Sequence, residues 1–441
     1  MRGRGHHVEE DRTLRPGAGR DLGLDVLTAG LNARLADADA RLALDYPGSS
    51  GDRQPVHTVY VPADRVRAGL AAEWGRAALS CLDEHAPDAA ALAAATGVAE
   101  DAVAEVLPRL RDKLRREPVE DLRVDLEDGY GDRGDEQEDR DTVAAARALC
   151  ADLAAGQAPP GFGVRTKGME AAGRARGTRS LTLFLHTLME EHGSLPEGLA
   201  LTLPKITSVE QVEAMAWLTE ELEQRLDLPE GRLRFELQIE TPQSVLLPDG
   251  TVAVARMIRA GRGRVSALHY GTYDYSAACG ITAAYQSMAH PVADHAKAVM
   301  QVAAAGTGVW LSDGSTNVLP VGGAEEVASA WRLHASLVRR SLERGFYQGW
   351  DLHPHQLPTR YLATYVFYRE AFAPAADRLR SYLGAVAGGV LDEPATAQAL
   401  AAALVSGVRC GALDEAEVAK AAGTDTGTLA ALASRRVGQE N

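Results

Sequence analysis

EDLRVDL (120–126) and GFGVR (161–165) are two short runs that we interpret as β-strands, and a segment with helical periodicity lies between them at 139–155. Strand-like runs that alternate with helical segments are typical of βαβ units, in which a crossover helix joins two parallel strands. The stretch 120–165 therefore predicts one strand–helix–strand unit, and the rest of the chain can be compared with it.

The same alternation continues in both directions along the chain. Six further runs have the character of strands: HTVYV (57–61), LALTLP (199–204), LRFELQIE (233–240), RVSALHY (264–270), TGVWLS (307–312) and QGWDL (348–352). Helical periodicity recurs at 64–84, 178–193, 208–226, 250–261, 291–305, 323–344 and 359–384. Eight such units predict an α/β protein built on a closed (β/α)8 TIM barrel, with a doubly wound open sheet as the alternative. The dinucleotide signature of the open sheet is missing, because GFGVRTKG (161–168) has the wrong spacing for GxGxxG.

Three parts of the chain fall outside the barrel pattern, which we assign to residues 55–384. Residues 1–54 contain a polar arm at 1–22 and an amphipathic helix at 23–46. Residues 85–118 interrupt the barrel as a helical insertion, which Thr96-Gly97 divides into two helices.

Residues 385–441 form a helical C-terminal extension, with Gly388-Gly389 as the expected hinge. Its helices carry an apolar stripe of Leu391, Ala397, Leu400 and Leu404 that needs a surface to cover. The extension is expected to dock on the barrel, to cap its mouth as a lid or to mediate oligomerisation.

The composition excludes several classes of function. The chain has 441 residues, of which 46% are apolar, and its net charge is −15. This charge repels phosphate backbones and anionic lipids, so we expect neither a nucleic-acid nor a membrane partner. No apolar run is long enough to span a membrane, and the N-terminus lacks the apolar region of a signal peptide. Four widely separated cysteines without a CxxC pair indicate the reduced thiols of a cytoplasmic protein.

Charged residues follow almost every predicted strand, at the end of a barrel where active sites lie. In chain order they are Asp125, Glu127 and Asp128, Arg165, Lys205, Glu240, Asp274, Asp313 and Asp351. Carboxylates that face an arginine and a lysine around one mouth suit metal-assisted chemistry on a small anion.

Glu240 and Asp274 are the candidate metal ligands. Hard carboxylate oxygens suit Mg²⁺ or Mn²⁺, and two carboxylates leave coordination sites for water and substrate. The alternative is that both side chains cap helices or form ion pairs at the rim. Arg165 ends an apolar strand and could bind an oxyanion as a bidentate donor, or it could form a structural pair with a neighbouring carboxylate.

Gly271-Thr272 could offer backbone N–H groups to a substrate carboxylate, although by itself the pair also fits a plain turn. His353 and His355 have the spacing of a zinc-binding pair, but Pro354 between them favours a turn without metal.

Seven ordered motifs carry a family resemblance: VYVPADRV (59–66), VDLEDGYGD (124–132), VRTKG (164–168), LPK (203–205), LQIETP (237–242), HYGTYDYSAACGI (269–281) and QGWDLHPHQ (348–356). In these motifs the chain resembles the citrate lyase beta-subunit family, which includes malyl-CoA lyases and the related HpcH/HpaI class II aldolases. The resemblance covers about residues 55–360 and does not extend to 1–54, to the insertion or to the C-terminal extension.

The resemblance implies a barrel of the phosphoenolpyruvate/pyruvate type that uses Mg²⁺ or Mn²⁺, held by Glu240 and Asp274. It implies that Arg165 binds the 2-oxo or enolate oxygen and that the acidic pair Glu127 and Asp128 is catalytic. Asp128 is the expected base, with His269 or Asp351 as alternatives. The substrate-binding positions that it implies are Arg165, Lys205, Gly271 and Thr272.

The implied activity is that of a carbon–carbon lyase or aldolase, acting through a metal-stabilised enolate on a 2-oxo acid or a hydroxyacyl thioester. A homo-oligomer is the expected assembly. PKITS (204–208) lacks the acidic pair that often follows PK in the family, and no CoA-binding pattern is evident, so the acyl-CoA substrate is less supported than the metal site. The alternatives are a non-catalytic or regulatory barrel protein and a phosphoenolpyruvate-linked enzyme on the same fold.

Overall fold

The computed structural model describes residues 23–384 and 393–434. The expected arm at 1–22 lies outside these ranges, as do the expected hinge Gly388-Gly389 and Leu391 of the apolar stripe. The chain divides into two compact units between Tyr46 and Pro47.

Eight parallel strands form a nearly closed barrel in the second unit. They are β1 (His57–Pro62), β2 (Asp121–Asp125), β3 (Gly161–Arg165), β4 (Leu199–Leu203), β5 (Phe235–Ile239), β6 (Val265–Tyr270), β7 (Trp310–Ser312) and β8 (Gly349–Asp351). They pair in the order β7-β6-β5-β4-β3-β2-β1-β8. A parallel bridge between Ser312 and Gln348 links β7 to β8, and Asp313 donates its backbone N–H to Gln348 O at 2.8 Å. The predicted (β/α)8 barrel is therefore confirmed, and the open-sheet alternative is wrong.

Helices fill the connections between the strands and the parts outside the barrel. They are α1 (Leu24–Asp45), α2 (Leu70–His85), α3 (Ala89–Thr96), α4 (Glu100–Arg116), α5 (Asp135–Ala154), α6 (Arg174–His192), α7 (Val209–Arg225), α8 (Pro242–Val245), α9 (Ala253–Ala260), α10 (Thr272–Ala278), α11 (Pro291–Ala304), α12 (Ala324–Glu343), α13 (Leu357–Leu383), α14 (Pro394–Arg409), α15 (Glu415–Ala422) and α16 (Thr426–Ala433). Three 3₁₀ turns lie at Ala63–Arg65, Ala283–Tyr285 and Pro354–Gln356. Among the described helices, none has the length and apolar character that a membrane crossing requires.

The barrel strands are buried on both faces, but the two faces differ in chemistry. In β2, Leu122 and Val124 belong to the apolar core between the sheet and the surrounding helices. Their neighbours Asp121, Arg123 and Asp125 are equally buried and project to the opposite face, the barrel interior, because side chains alternate along a strand. The interior of this barrel therefore contains charges, and those charges must neutralise one another.

Glu236 on β5 is the centre of the interior network. Its carboxylate accepts hydrogen bonds from Arg123 Nε at 3.0 Å and Nη2 at 2.9 Å, and from Thr202 Oγ1 at 2.6 Å. His269 Nε2 lies 3.0 Å from the same carboxylate. Burial by itself raises the pKa of Glu236, but Arg123 and His269 outweigh burial and hold the pKa below its usual range. Glu236 is therefore a stable buried anion that joins β2, β4, β5 and β6.

A second core joins the predicted insertion to the C-terminal extension. Helices α2, α3, α4 and α13 share it with α14, α15 and α16, and Trp331, Tyr361 and Tyr365 are among its fully buried side chains. Thr96-Gly97 separates α3 from α4, as predicted. The two segments therefore stabilise each other, which the sequence patterns of either one did not indicate.

The described part of the extension docks near the N-terminal ends of the strands. Arg409 Nη1 donates to Asp52 O at 3.0 Å, just before β1, and Arg109 of α4 pairs with Asp414. Ala397 and Leu404 of the predicted stripe are buried in the second core. The expected docking is confirmed, whereas residues 393–434 do not cap the mouth of their own barrel, because the mouth lies at the opposite strand ends.

We predict that Gly163→Ala strongly destabilises the barrel. A Cβ at Gly163 would lie 1.7 Å from Ala200 O on the neighbouring strand, so β3 and β4 would have to separate. Overpacking of this kind should cost at least about 3 kcal/mol, measured as the free energy of unfolding in urea. Gly156→Ala is the control: its φ is +65° and no atom lies within 4 Å, so only the backbone strain of about 1–2 kcal/mol applies. Equal losses in the two variants would contradict this account of the β3–β4 pairing.

Candidate active site

The candidate site lies at the C-terminal ends of the strands. The last residue of β3, the segments that follow β2, β4 and β5, and the first turn of α10 bring together the predicted residues Glu127, Asp128, Arg165, Lys205, Glu240 and Asp274. One further residue, Asp125, organises them.

Asp125 is the last residue of β2 and accepts four hydrogen bonds. Arg165 donates to it from Nε and from Nη2, both at 2.8 Å. The backbone N–H groups of Glu127 and Gly129 donate at 3.0 and 2.9 Å, which folds the LEDG segment back over the carboxylate. A Cβ on Gly129 would lie 2.4 Å from Asp125 Oδ2, so this turn requires glycine. The position of the acidic pair thus depends on Asp125.

Arg165 is buried, with 6% of its surface exposed, and most of its donors are occupied. Nε and Nη2, the bidentate edge of its guanidinium, bind Asp125, which is the structural pair named as the alternative, and the binding of a substrate oxyanion by Arg165 stays a prediction. The remaining Nη1 lies 3.3 Å from Gln238 Oε1 and 3.4 Å from Glu127 Oε2. The guanidinium carbon lies 4.7 Å from the centre of the Tyr60 ring. Arg165 therefore presents a single nitrogen, in a fixed direction, to the site.

Lys205 contacts the acidic residues on the exposed side of the site. Its ammonium donates to Asp274 Oδ2 at 2.6 Å and to Asp128 Oδ2 at 2.8 Å, and it lies 3.5 Å from Glu127 Oε1. Its backbone N–H donates to Glu240 Oε1 at 2.7 Å. Burial acts to lower the pKa of Lys205, but the bonds to Asp128 and Asp274 outweigh it and raise the pKa. Lys205 is therefore charged, and its ammonium or its backbone N–H contacts each of the four acidic candidates. Asp274 forms an ion pair at the rim, which was the alternative to its role as a metal ligand.

Glu240 is 3% exposed, and burial raises the pKa of its carboxyl to about 7. Gly271 allows this burial, because a Cβ there would lie 2.4 Å from Glu240 Cβ. The N–H of Gly271 is donated to Ile239 O at 3.0 Å, and the binding of a substrate carboxylate by backbone N–H groups of this segment stays a prediction. Thr272 is buried, and its hydroxyl accepts the N–H of Ser315 at 3.2 Å.

The two residues of the acidic pair differ in environment. Glu127 is buried; its Oε2 atom makes no hydrogen bond, and burial raises its pKa to about 7 although Arg165 opposes this. Asp128 is half exposed, and bonds with Lys205 and Glu127 lower its pKa despite partial burial. Near neutral pH, Asp128 is therefore an anion, whereas Glu127 lies close to its midpoint of protonation.

The other candidates for the base are held in structural networks. Asp351 is fully buried and contacts His57 Nδ1 at 2.7 Å, His334 Nε2 at 3.1 Å and the guanidinium of Arg360. His269 is fully buried between Glu236 and Trp350, whose indole N–H donates to His269 Nδ1 at 3.2 Å. Neither side chain is available to a substrate at the rim.

The His-x-His segment forms the turn expected of it. His353 Nδ1 accepts the backbone N–H of His355 at 3.2 Å and caps the 3₁₀ turn Pro354–Gln356. His355 Nδ1 lies 2.9 Å from Pro320 O. These contacts occupy one ring nitrogen of each histidine.

The rim contains more negative than positive groups. Five carboxyl groups, those of Asp125, Glu127, Asp128, Glu240 and Asp274, face the two cations Arg165 and Lys205. Within residues 23–384 and 393–434, no three His, Cys, Asp or Glu side chains lie close enough to form a metal-binding group. The surplus of carboxylates and Glu127 Oε2, which makes no hydrogen bond, nevertheless fit a divalent cation, whose charge would balance them.

A cavity of about 400 Å³ opens at the opposite end of the barrel. Gly161 and Leu199, the first residues of β3 and β4, line it together with Asp121, Arg123 and Glu236. Asp121, Arg123 and Glu236 already neutralise one another in the interior network. The cavity is therefore separate from the rim that carries the predicted residues.

Sequence reasoning placed Asp125 among the charged residues at the rim without giving it a role, and it missed Gln238 and Tyr60 as members of the site. A signal for the first two was present, since polar residues alternate with apolar ones in DLRVD (121–125) and in ELQIE (236–240). In a strand buried on both faces, such alternation indicates a polar barrel interior.

Comparisons with solved structures found malate synthase from Haloferax volcanii at 3 mM glyoxylate, which is 13% identical over 87% of this chain and 97% of its own, with a TM-score of 0.48. CitE from Mycobacterium tuberculosis, in complex with magnesium, acetoacetate and coenzyme A, is 18% identical over 82% and 99% of the two chains, with a TM-score of 0.47. An HpcH/HpaI aldolase/citrate lyase family protein from Burkholderia cenocepacia is 14% identical over 72% and 94%, with a TM-score of 0.40.

CitE and the HpcH/HpaI family protein carry names of the family that the sequence motifs resemble. Identities and TM-scores this low carry no argument about activity. No curated protein matches the sequence. The model of a family described as a domain of unknown function, DUF6986, matches residues 35–437, and the chain therefore belongs to that family.

Proposed function

We propose that this protein is a divalent-metal-dependent carbon–carbon lyase of the aldolase type. Its substrate would be a 2-oxo acid with a hydroxyl group two carbons beyond the carbonyl, or a hydroxyacyl thioester of similar size. The proposal combines the resemblance of the motifs with the arrangement of charges at the rim. Its alternatives are a barrel protein without turnover and a phosphoenolpyruvate-linked enzyme.

One observation carries the proposal. Four carboxyl groups, from the ends of β2 and β5 and from α10, converge on Lys205, three on its ammonium and that of Glu240 on its backbone N–H, beside the buried guanidinium of Arg165. A stable rim would need only as many carboxylates as cations. An excess of anions around a fixed cation is typical of a site that receives a further cation together with an anionic substrate.

Glu240 and Asp274 are the residues that would hold the metal ion, with Asp128 beside them. Lys205 at present donates to Asp128 and Asp274 and, through its backbone, to Glu240, so a metal ion would compete with its ammonium for the same oxygens. When bound, Mg²⁺ or Mn²⁺ supplies a Lewis acid that polarises a carbonyl oxygen.

The chain itself would supply the proton transfer and part of the charge stabilisation. Because its pKa is about 7, Glu127 would accept the hydroxyl proton of the substrate near neutral pH. From the sequence we expected Asp128 in this role. Loss of that proton forms a new carbonyl group as the adjacent C–C bond breaks, and the electron pair moves to the 2-oxo fragment as an enolate. Arg165 Nη1, fixed by Asp125, faces the space beside Glu127 and would stabilise the enolate oxygen.

The activity is tested with Mg²⁺ and a panel of 4-hydroxy-2-oxo acids and acyl-CoA thioesters, by following the release of pyruvate, oxaloacetate or glyoxylate. We expect release that stops on chelation and falls at least about 100-fold in Glu240→Gln, because several kcal/mol of charge stabilisation are lost. Glu213→Gln, at an exposed carboxylate on α7, should retain wild-type activity. If the folded protein releases no product, or does so without a metal ion, the proposal fails.

Arg165→Lys should lower kcat by about 100-fold or more, since lysine cannot hold Asp125 with two parallel bonds while aiming a third donor at the substrate. Arg264→Lys is the matched control. Arg264 is buried and binds Glu223 through Nη1 at 2.6 Å and Nη2 at 2.8 Å, near the start of β6 at the opposite end of the barrel. Both variants should have a lower melting temperature, but only Arg165→Lys should lose turnover. Equal losses of kcat would assign Arg165 a purely structural role.

The pH dependence follows from the raised pKa of Glu127. Below pH 7 its carboxyl is protonated and cannot accept a proton, so kcat/KM should fall about tenfold per unit as the pH decreases below 7. Glu127→Gln should lower kcat/KM by about 10²–10⁴ and remove this limb of the pH profile. A limb with an unchanged midpoint in Glu127→Gln would show that another group with a pKa of about 7, such as Glu240, controls the limb.

A further inference from the structure

The cavity of about 400 Å³ at the N-terminal ends of the strands takes no part in the chemistry proposed for the rim. Its volume lies within the range of pockets that bind small molecules, which is about 300–1,000 Å³. Ala200, Ala267 and Trp310 give it an apolar side. All of its lining residues belong to the second unit. The cavity is therefore large enough to hold a small ligand with an apolar part.

The buried carboxylates that line the cavity already have cationic partners. Those of the interior network bind Arg123. Glu120 accepts hydrogen bonds from Arg53 Nη2 at 2.6 Å and from Lys113 Nζ at 2.5 Å. These groups neutralise one another, so they neither require a ligand nor compete for one.

Two arginines of the cavity, Arg232 and Arg234, have no carboxylate partner among the described residues. Arg234 Nε is buried and makes no hydrogen bond. Arg232 Nη2 donates to Leu195 O at 2.9 Å and to Pro196 O at 2.5 Å, which satisfies one nitrogen but does not neutralise the charge. A buried N–H group without an acceptor costs free energy, and an anion in the cavity would remove this cost.

The two remaining carboxylates of the cavity do not compensate these arginines. Asp52 and Glu197 are exposed, and neither forms an ion pair within residues 23–384 and 393–434. Water and salt screen such exposed charges, so their repulsion of an anion in the cavity is weak.

The chain places Arg232 and Arg234 on the same side of the segment that leads into β5. Leu233 between them is buried in the apolar core outside the sheet, so its two neighbours point toward the barrel interior. Leu201 of β4 donates its N–H to Arg234 O at 3.1 Å, which holds this segment against the sheet. Two guanidiniums fixed at one cavity are suited to the paired oxygens of a carboxylate or phosphate group.

We propose that this cavity is a second ligand site, which binds a small organic acid or phosphate ester. The carboxylate or phosphate group would accept hydrogen bonds from Arg232 and Arg234, and the apolar part would lie against Ala200, Ala267 and Trp310. The proposal is independent of the lyase assignment, because no residue of the rim takes part. Two arginines that only interact with water are the competing explanation.

Calorimetric titration of the full chain with benzoate and with phenyl phosphate, in EDTA, tests the proposal. We expect one molecule of at least one of these compounds to bind per chain, and the tighter of the two identifies the anionic group that the site prefers. Arg232→Gln and Arg234→Gln should each weaken binding by at least about tenfold, because charge-assisted hydrogen bonds are lost. Arg262→Gln is the matched control: it removes the same charge from an exposed turn before β6, outside the cavity, so the affinity should not change.

Ala200→Leu tests the position of the ligand without a change of charge. The longer side chain would fill part of the cavity, so binding should again weaken by at least about tenfold while both arginines remain. Lys205→Gln, which removes the exposed cation of the rim, should leave the affinity unchanged. The proposal is overturned if the folded wild-type chain binds neither compound at millimolar concentration. It is also overturned if Lys205→Gln lowers the affinity while Arg234→Gln and Ala200→Leu do not.

Discussion

The buried ion pair between Asp125 and Arg165 is the interaction on which the rim of this barrel depends. A charged side chain at the end of an inner strand is stable only if it is neutralised and its donors are satisfied. Asp125 does this for Arg165 with two parallel bonds, and its remaining lone pairs accept the N–H groups of Glu127 and Gly129. One carboxylate thus fixes the pairing of β2 and β3 at the rim, the turn that carries the acidic pair and the direction of Arg165 Nη1.

Buried charges are balanced in the middle of the barrel but not at its C-terminal rim. In the middle of the barrel, Arg123 is balanced by Asp121 and Glu236, and Glu236 remains an anion. At the C-terminal rim the carboxylates exceed the cations, and burial raises the pKa of Glu127 and Glu240 to about 7. Balanced buried charges stabilise the fold. The excess of carboxylates over cations at the rim would be neutralised by a bound metal ion. This difference locates the proposed chemistry at the rim.

The sequence predicted the barrel well because short strand-like runs alternate with helical segments eight times, and a charged residue follows almost every run. It also predicted which residues meet at the rim, since all parallel strands of a barrel end on the same side. It could not show that Asp125 occupies the bidentate edge of Arg165, or that Ile239 O takes the N–H of Gly271. Such contacts depend on strand register and on side-chain direction, which periodicity does not determine. The joint core of the insertion and the C-terminal extension was missed for a related reason: each segment shows only its own apolar stripe, not the partner that covers it.

The most direct test of the rim as a metal site is a crystal structure of the protein grown with Mn²⁺, with the ion located by its anomalous scattering. The account predicts one Mn²⁺ ion bound by carboxylate oxygens of Glu240 and Asp274, with the Lys205 ammonium displaced from Asp274. A rim without Mn²⁺ at millimolar concentration, with Lys205 still bound to Asp128 and Asp274, would contradict it, as would an ion bound only at the opposite end of the barrel.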